Sequence, residues 1–132
     1  MPETTVRIKE HAFRVWIADE PEETERGLME VTAEEMAPLP DGTERGMIFV
    51  FPRERRSGFW MKDTIIPLDI AFIRTDGTIV TIHTMAPLDT RNYYPDGPYR
   101  YALEVRGNVL SELKIRSGDR VEIPGSLLKT GR

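Results

Sequence analysis

The stretch LDIAFIRTDGTIVTIHTM, residues 68–85, decides the fold. Two runs of alternating residues flank the tetrapeptide TDGT at 75–78, and its Asp-Gly step is a strong signal for a tight turn. Successive side chains of a strand point to opposite faces, so Asp69 lies on the face opposite to Leu68 and Ile70. The stretch therefore predicts an antiparallel β-hairpin.

Outside this hairpin, alternating apolar patterns recur along most of the chain. They predict further extended segments at residues 5–9, 12–18, 47–51, 59–61, 99–105 and 120–123. The segment at 47–51 is predicted to end at Pro52, which cannot donate to a sheet. A helix of about two turns is predicted between Pro21 and Gly27, and a shorter one with Asn108 as its cap. We therefore expect a mostly β chain, a β-rich α+β fold. Its architecture would be a small barrel or strongly curved sheet of seven or eight short strands with one or two short helices.

The length of 132 residues predicts one domain, with a core at about residues 5–123 and a frayed tail over 124–132. The net charge of −4 disfavours a nucleic-acid binder, which needs a basic face for phosphate contacts. One short basic cluster, Arg53, Arg55 and Arg56, is interrupted by Glu54. We therefore expect no nucleic-acid partner.

The chain contains no cysteine, which excludes disulfides, thiolate nucleophiles, zinc–thiolate sites and iron–sulfur clusters. No apolar run reaches the roughly 20 residues that span a bilayer, so no membrane insertion is expected. The first residues lack a signal-peptide pattern. The residues alone fix neither the compartment nor the oligomeric state.

Several motifs together resemble the domain of unknown function 192 family. The matching segments are FWMKDT at 59–64, PLDIAFI at 67–73, RGLM at 26–29, GMIFVF at 46–51, YALEV at 101–105 and GDRV at 118–121. The resemblance covers about residues 12–123 and implies a compact β-rich prokaryotic protein with no established activity. It also implies a location in the cell envelope if a signal peptide has been removed from this chain. The family usually carries a hydroxyl residue where Glu20 stands and asparagine where Asp63 stands, and region 30–45 is longer here.

Two carboxylates, Asp69 and Glu104, fall on predicted strand faces that are not plainly exposed to solvent. Burying a charge is costly unless it is paired and hydrogen-bonded, so each needs a partner, for which Lys62, Arg100 and the loop amides near Thr64 are candidates. One hypothesis makes Asp69 and Glu104 an acid/base pair, as hydrolytic sites use. The alternative is that each caps a turn or fixes a loop through an ion pair.

A second candidate site lies around Trp60. An exposed tryptophan beside Lys62 and Asp63 could stack on a sugar ring or another flat ligand, with polar neighbours fixing its orientation. The alternative is that the rings of this segment close one end of the barrel as core. Tyr94, in a Pro/Gly-rich loop, is a candidate rim residue. The predicted ligand site therefore comprises Trp60, Lys62, Asp63, Asp69, Tyr94 and Arg100.

Other chemistries find little support in the residues. His11 and His83 have no metal-ligand spacing, so neither a metal nor a cofactor is expected. Three hypotheses remain open: a module binding a small polar or carbohydrate-like ligand, which we favour, a hydrolase-like enzyme using Asp69 and Glu104, and an accessory interaction domain. The residues leave open whether the chain is an enzyme.

Overall fold

The computed structural model describes residues 1–128 and shows one seven-stranded sheet with three short helices. The strands are β1 Glu3–Ile8, β2 His11–Ala18, β3 Glu44–Arg55, β4 Leu68–Ile73, β5 Ile79–Met85, β6 Tyr99–Arg106 and β7 Val121–Glu122. The helices are α1 Pro21–Arg26, α2 Val109–Glu112 and α3 Gly125–Leu128. The predicted fold class is thus confirmed, with one helix more than the sequence predicts.

The strand order is β5-β4-β6-β3-β2-β1-β7, and the sheet curls until its two edges approach each other. The backbone N–H of Val121 donates to Gly77 O at 2.8 Å, and that of Ile79 donates to Asp119 O at 2.9 Å. Thr78 and Arg120 form an isolated bridge between the same two segments. These contacts turn the sheet into a curled half-barrel and cover part of its open edges.

The predicted hairpin is present, with β4 antiparallel to β5 around the TDGT turn. Arg74 and Thr78 close the turn, since the N–H of Arg74 donates to Thr78 O at 2.9 Å. The strand predicted to end at Pro52 instead continues to Arg55. Its register against β6 shifts between Val50 and Arg55, and such an irregularity is where a strand tolerates proline.

The two faces of the sheet carry separate apolar clusters. We call the face bearing Val15, Ala71 and Leu103 the inner face, because its cluster draws buried residues from every strand and from α2. The outer face bears Phe49, Ile70, Phe72 and further buried side chains from β2 to β6. Loops cover the outer face, so the molecule has a core on each side of one sheet.

The connection between β2 and β3 positions the covering elements of the outer face. These strands are the parallel pair of the sheet, with Ala18 opposite Phe49, so the chain must cross from the end of β2 to the start of β3. Helix α1 and the following segment make this crossing, and Leu28 and Met36 from it are buried in the outer cluster. Helix α1 itself buries no side chain completely.

The C-terminal end of the described chain is more ordered than the frayed tail that the sequence predicts. Gly125–Leu128 form α3, and Leu127 is buried in the inner cluster. Residues 129–132 of the predicted tail lie outside the described residues. Within the described part of the chain, no helix has the length and apolar character needed to cross a membrane.

Candidate functional site

Asp69 and Glu104 occupy adjacent strands but opposite faces of the sheet. Asp69 pairs with Val105 and Glu104 pairs with Ile70 in the register of β4 against β6. Directly paired residues share a face, and neighbours along a strand do not, so the two carboxyl groups point away from each other. The structure therefore does not bring the two members of the hypothetical acid/base pair together at one site.

Asp69 is buried on the inner face with its hydrogen-bonding capacity used by the protein. Its carboxylate accepts from the Thr84 hydroxyl at 2.7 Å and from the backbone N–H groups of Asn108 and Leu110 at 2.9 and 3.1 Å. The last two donors belong to the start of α2, whose amides have no intrahelical acceptor. Asp69 therefore ties α2 to β4 and β5.

The cap of α2 differs from the one that the sequence predicts. Asn108 does stand at the N-cap position, but its backbone is left-handed, with φ of 73°, and its side chain makes no cap hydrogen bond. Asp69, 39 residues earlier in the chain, supplies the acceptor instead. A carboxylate is a stronger acceptor than an amide, and it also suits the positive end of a helix.

Glu104 is the opposite case. It is 4% exposed, on the outer face between Met47 and Ile70. Among residues 1–128 its carboxyl has no hydrogen-bond or ion-pair partner. Burial away from water raises the pKa of the Glu104 carboxyl to about 8, because the charged form loses its hydration without gaining a counter-charge.

Glu104 lines a cavity of about 320 Å³, which we call the Glu104 cavity. Its walls come from α1 and the segment after it, from β3, and from the loop before β4, and they include Thr24, Gly27, Phe49, Phe51, Arg55, Phe59, Trp60 and Thr64. The volume is at the lower end of the range of small-molecule sites. A buried, unpartnered carboxyl thus lines a cavity whose other walls combine four aromatic rings with polar and charged side chains.

Gly27 keeps the space beside Glu104 open. It has φ of 54° and ψ of −130°, a conformation that a residue with a side chain rarely adopts. A Cβ atom there would lie 3.3 Å from Cζ of Phe49 and 3.9 Å from Oε1 of Glu104. The glycine that ends α1 therefore also shapes the wall of the cavity.

The aromatic walls are held by contacts with neighbouring loops. Phe59 packs edge-on against Phe49, with ring centroids 5.0 Å apart, and Phe51 lies 6.3 Å from Phe59. Phe59 also exchanges backbone hydrogen bonds with Tyr93, at 3.0 and 2.7 Å. This pairing fixes the segment that carries Trp60 to the rim of the cavity.

The predicted ligand-site residues are distributed over several places. Trp60 is 44% exposed and lines the Glu104 cavity, so the structure brings it together with Glu104. Lys62 is exposed, and its Nζ lies 5.5 Å from the centroid of the Trp60 ring. Asp63 is exposed and has a left-handed backbone with φ of 56°, which asparagine also tolerates well.

Three other predicted residues lie away from this cavity. Asp69 is on the inner face, as described. Tyr94 is exposed and borders a different cavity, together with His83, whose Nε2 lies 2.8 Å from the carbonyl oxygen of Tyr94. Arg100 donates from Nε to Phe51 O at 3.1 Å, and its guanidinium lies 5.7 Å from the centroid of the Tyr101 ring. Lys62 is not among the three described donors of Asp69.

The aromatic walls of the cavity are not among the site residues that the sequence predicts. The sequence predicts Phe49, Phe51 and Phe59 as strand or core residues and Gly27 as the end of a helix. Their alternation in β3 shows that Phe49 and Phe51 share a face, but not that Glu104 shares it. That information is contained in the pairing of β3 with β6, which places Met47 opposite Glu104. Among residues 1–128, no group of three or more metal-ligating side chains converges.

Comparisons with known proteins agree on one family. The profile of DUF192, described as "Uncharacterized ACR", matches residues 4–123. The crystal structure of a putative transcription regulator from Sinorhizobium meliloti 1021 is 35% identical and superposes with a TM-score of 0.82, covering 92% of this chain and 93% of that one. A protein of unknown function from Novosphingobium aromaticivorans DSM 12444 is 32% identical, with a TM-score of 0.80, covering 92% and 85%. No curated protein matches this chain.

Proposed function

We propose that this chain, which belongs to the DUF192 family, is a binding module for a small polar organic ligand held in the Glu104 cavity. The observation that carries the proposal is the Glu104 carboxyl, which is buried, lacks a partner within the described residues and borders the open space of the cavity. Buried polar groups are normally satisfied, and an orphan needs an explanation. A ligand that bonds to this carboxyl supplies one.

The walls of the cavity support the same proposal. Binding sites for small molecules combine apolar and aromatic walls with a few polar groups that fix orientation. Here Phe49, Phe51 and Phe59 provide apolar walls, and the polar groups come from Thr24, Glu25, Arg26, Arg55, Thr64 and Glu104. Trp60 at the rim can stack on a flat part of the ligand, as we expect from the sequence.

The alternative functions receive less support from the same contacts. An acid/base pair needs two carboxyls on one bond, whereas Asp69 and Glu104 occupy opposite faces of the sheet. The description of the Sinorhizobium relative as a putative transcription regulator applies to that protein. For this chain a nucleic-acid partner is disfavoured by the net charge of −4 and by a basic cluster of only three arginines interrupted by Glu54.

A thermal-shift screen tests the proposal. Wild-type protein is melted with panels of sugars, amino acids, nucleosides and organic amines, since a ligand that binds the native state raises its apparent stability, by about 2.7 kcal/mol at 100 times its Kd. The screen is repeated with Thr24→Phe, which adds a ring at the α1 wall of the cavity. Thr24→Val is the matched control, because it preserves the volume at the same position.

The expected result is at least one compound that raises the melting temperature of the wild type and of Thr24→Val but not of Thr24→Phe. Melting curves that no compound shifts would leave the accessory interaction domain as the better hypothesis. A shift that survives unchanged in Thr24→Phe would place the ligand elsewhere and overturn the proposal.

A further inference from the structure

The chemistry of the ligand can be deduced further from what Glu104 lacks. An ionised carboxylate inside a protein is normally paired with a cation or with several hydrogen-bond donors. Asp69 has three donors, whereas Glu104 has none among the described residues. In the free protein the carboxyl avoids the cost of ionisation by retaining its proton, as its pKa of about 8 indicates. What Glu104 lacks is therefore either a positive charge or a set of hydrogen-bond donors such as those of Asp69.

The aromatic walls are suited to the same charge. The faces of aromatic rings attract cations, and sites for ammonium groups commonly combine several such rings. Two rings that line the cavity already make cation–π contacts with side chains of the protein. The guanidinium carbon of Arg55 lies 4.2 Å from the centroid of the Phe51 ring, and Nζ of Lys62 lies 5.5 Å from that of Trp60.

The other charges around the cavity do not neutralise Glu104. Helix α1 contributes Glu25 and Arg26, and β3 contributes Arg55. Arg26 is paired with Glu30, at 3.2 Å, and Arg55 donates from Nε to the Ser57 hydroxyl at 2.7 Å. From the strands beside Glu104, the paired residues are the uncharged Met47 and Ile70. The lining thus holds two carboxylates, Glu25 and Glu104, and two arginines, but burial is the cause that shifts the pKa of Glu104, and neither arginine stabilises its ionised form.

From these observations we infer that the ligand of the Glu104 cavity is a small organic cation, whose ammonium group sits against the Glu104 carboxylate and the faces of the surrounding rings. This inference rests on the proposed function and names its ligand class. The volume of about 320 Å³ limits the ligand to on the order of ten non-hydrogen atoms, at roughly 30 Å³ each. Binding displaces the proton of Glu104 to solvent, so it couples to pH.

The test uses choline as a permanent cation and its neutral carbon analogue, in which a tert-butyl group replaces the trimethylammonium group. Affinities of the full chain are measured by calorimetry from pH 6 to pH 9. Neither probe changes charge over this range, so a pH dependence confined to choline reports ionisation of the carboxyl. The variants are Glu104→Gln, which preserves shape, and Glu10→Gln, which removes an exposed carboxyl outside the lining of the cavity as a control.

We expect choline to bind wild type and Glu10→Gln more tightly than its neutral analogue. Its affinity should rise by up to about tenfold per pH unit below pH 8 and level off above it, because only the ionised carboxyl binds the cation. Glu104→Gln should lose at least about tenfold in choline affinity at pH 8 and lose the pH dependence, since its amide carries no charge. Its affinity for the neutral analogue should stay unchanged.

Two outcomes overturn the inference and separate it from the proposed function. If the neutral analogue or another uncharged compound binds as well as choline, and Glu104→Gln changes nothing, the ligand is not a cation but the cavity remains a binding site. If no compound of either charge binds wild type or shifts its melting temperature, the inference and the proposed function fail together.

Discussion

The inner and outer faces of the sheet each bury one carboxylate, on adjacent strands and one register position apart, and treat it in opposite ways. Asp69, on the inner face, accepts three hydrogen bonds and joins α2 to the sheet. Glu104, on the outer face, has no partner in the described chain and borders a cavity. Both are less than 5% exposed, so burial by itself does not distinguish a structural acid from a candidate binding group. The number of hydrogen-bond donors around each carboxyl does distinguish them, with three at Asp69 and none at Glu104 among the described residues.

The largest expected effect is on the pH dependence of the free energy of unfolding, which should differ between wild type and Glu104→Gln. The unfolded chain ionises Glu104 near the usual value of 4.5, whereas the folded chain holds the proton until about pH 8. Between these values the folded state binds more protons, so its stability falls as pH rises, by roughly 1.4 kcal/mol per unit and about 5 kcal/mol in total. The stabilisation is fully present below pH 4.5.

Urea titrations from pH 4 to pH 9 therefore should show a steep decline for wild type that Glu104→Gln lacks, with the variant the more stable protein at pH 9. Glu25→Gln should follow the wild-type curve. Parallel curves for wild type and Glu104→Gln would mean that the outer carboxyl has a hidden partner, and the contrast between the faces would then disappear.

Asp69→Asn disrupts the hydrogen bonds that the buried carboxylate of the inner face accepts. The substitution removes the negative charge and points an amide donor at backbone N–H groups that have no other acceptor in α2. We expect a loss of about 3 kcal/mol in the free energy of unfolding at pH 7. Ligand binding at the outer face should survive in the folded fraction. Asn108→Gly is the control, because the Asn108 side chain makes no cap hydrogen bond and glycine tolerates its left-handed backbone.

For that control we expect a change below about 1 kcal/mol. Equal losses in the free energy of unfolding of Asp69→Asn and Asn108→Gly, measured by urea denaturation, would indicate that the Asn108 side chain caps α2, as the sequence predicts. They would also remove the structural role that we assign to Asp69.

Thr84→Val removes one of the three donors of Asp69 and so measures how much a single donor contributes to stability. The hydroxyl bond is 2.7 Å long and joins β5 to the carboxylate. We expect a loss of about 1 kcal/mol, since the two backbone donors remain. Thr84→Ser retains the hydroxyl and should recover most of the stability. Thermal melting of the two variants under identical conditions measures the difference, and a Ser variant no better than Val would show that the hydroxyl bond contributes little.

The smallest effect concerns two buried tyrosines of β6. The Tyr101 hydroxyl, in the inner cluster, has no hydrogen-bond partner among the described residues, whereas the Tyr99 hydroxyl donates to Ser57 O at 2.8 Å. Tyr101→Phe should leave stability unchanged or raise it by up to about 1 kcal/mol, and Tyr99→Phe should lower it by about 1 kcal/mol. The opposite order in urea denaturation would mean that an unpaired group buried in the core costs nothing, and would weaken the reasoning applied to Glu104.

The fold could be predicted largely from local patterns, whereas the site could be predicted only in part. Alternation in residues 68–73 and 101–105 correctly divided the side chains between two faces of each strand. It also indicated that Asp69 and Glu104 are enclosed and need partners. The sequence offers Lys62 and Arg100 as nearby candidate partners, but the donors to Asp69 include backbone amides about 40 residues away. Distance along the chain does not predict proximity in a sheet.

Local patterns in the sequence suffice to predict the class of fold and the turn at 75–78, and the composition excludes cysteine chemistry and limits the residues from which a site can be made. How those residues combine depends on the folded chain, because strand order and register determine which side chains share a face of the sheet. Pairing of Ile70 with Glu104 puts Asp69 and Glu104 on opposite sides, and the crossing from β2 to β3 brings α1 and Gly27 over Glu104. The cavity arises from these long-range pairings, which no local pattern encodes.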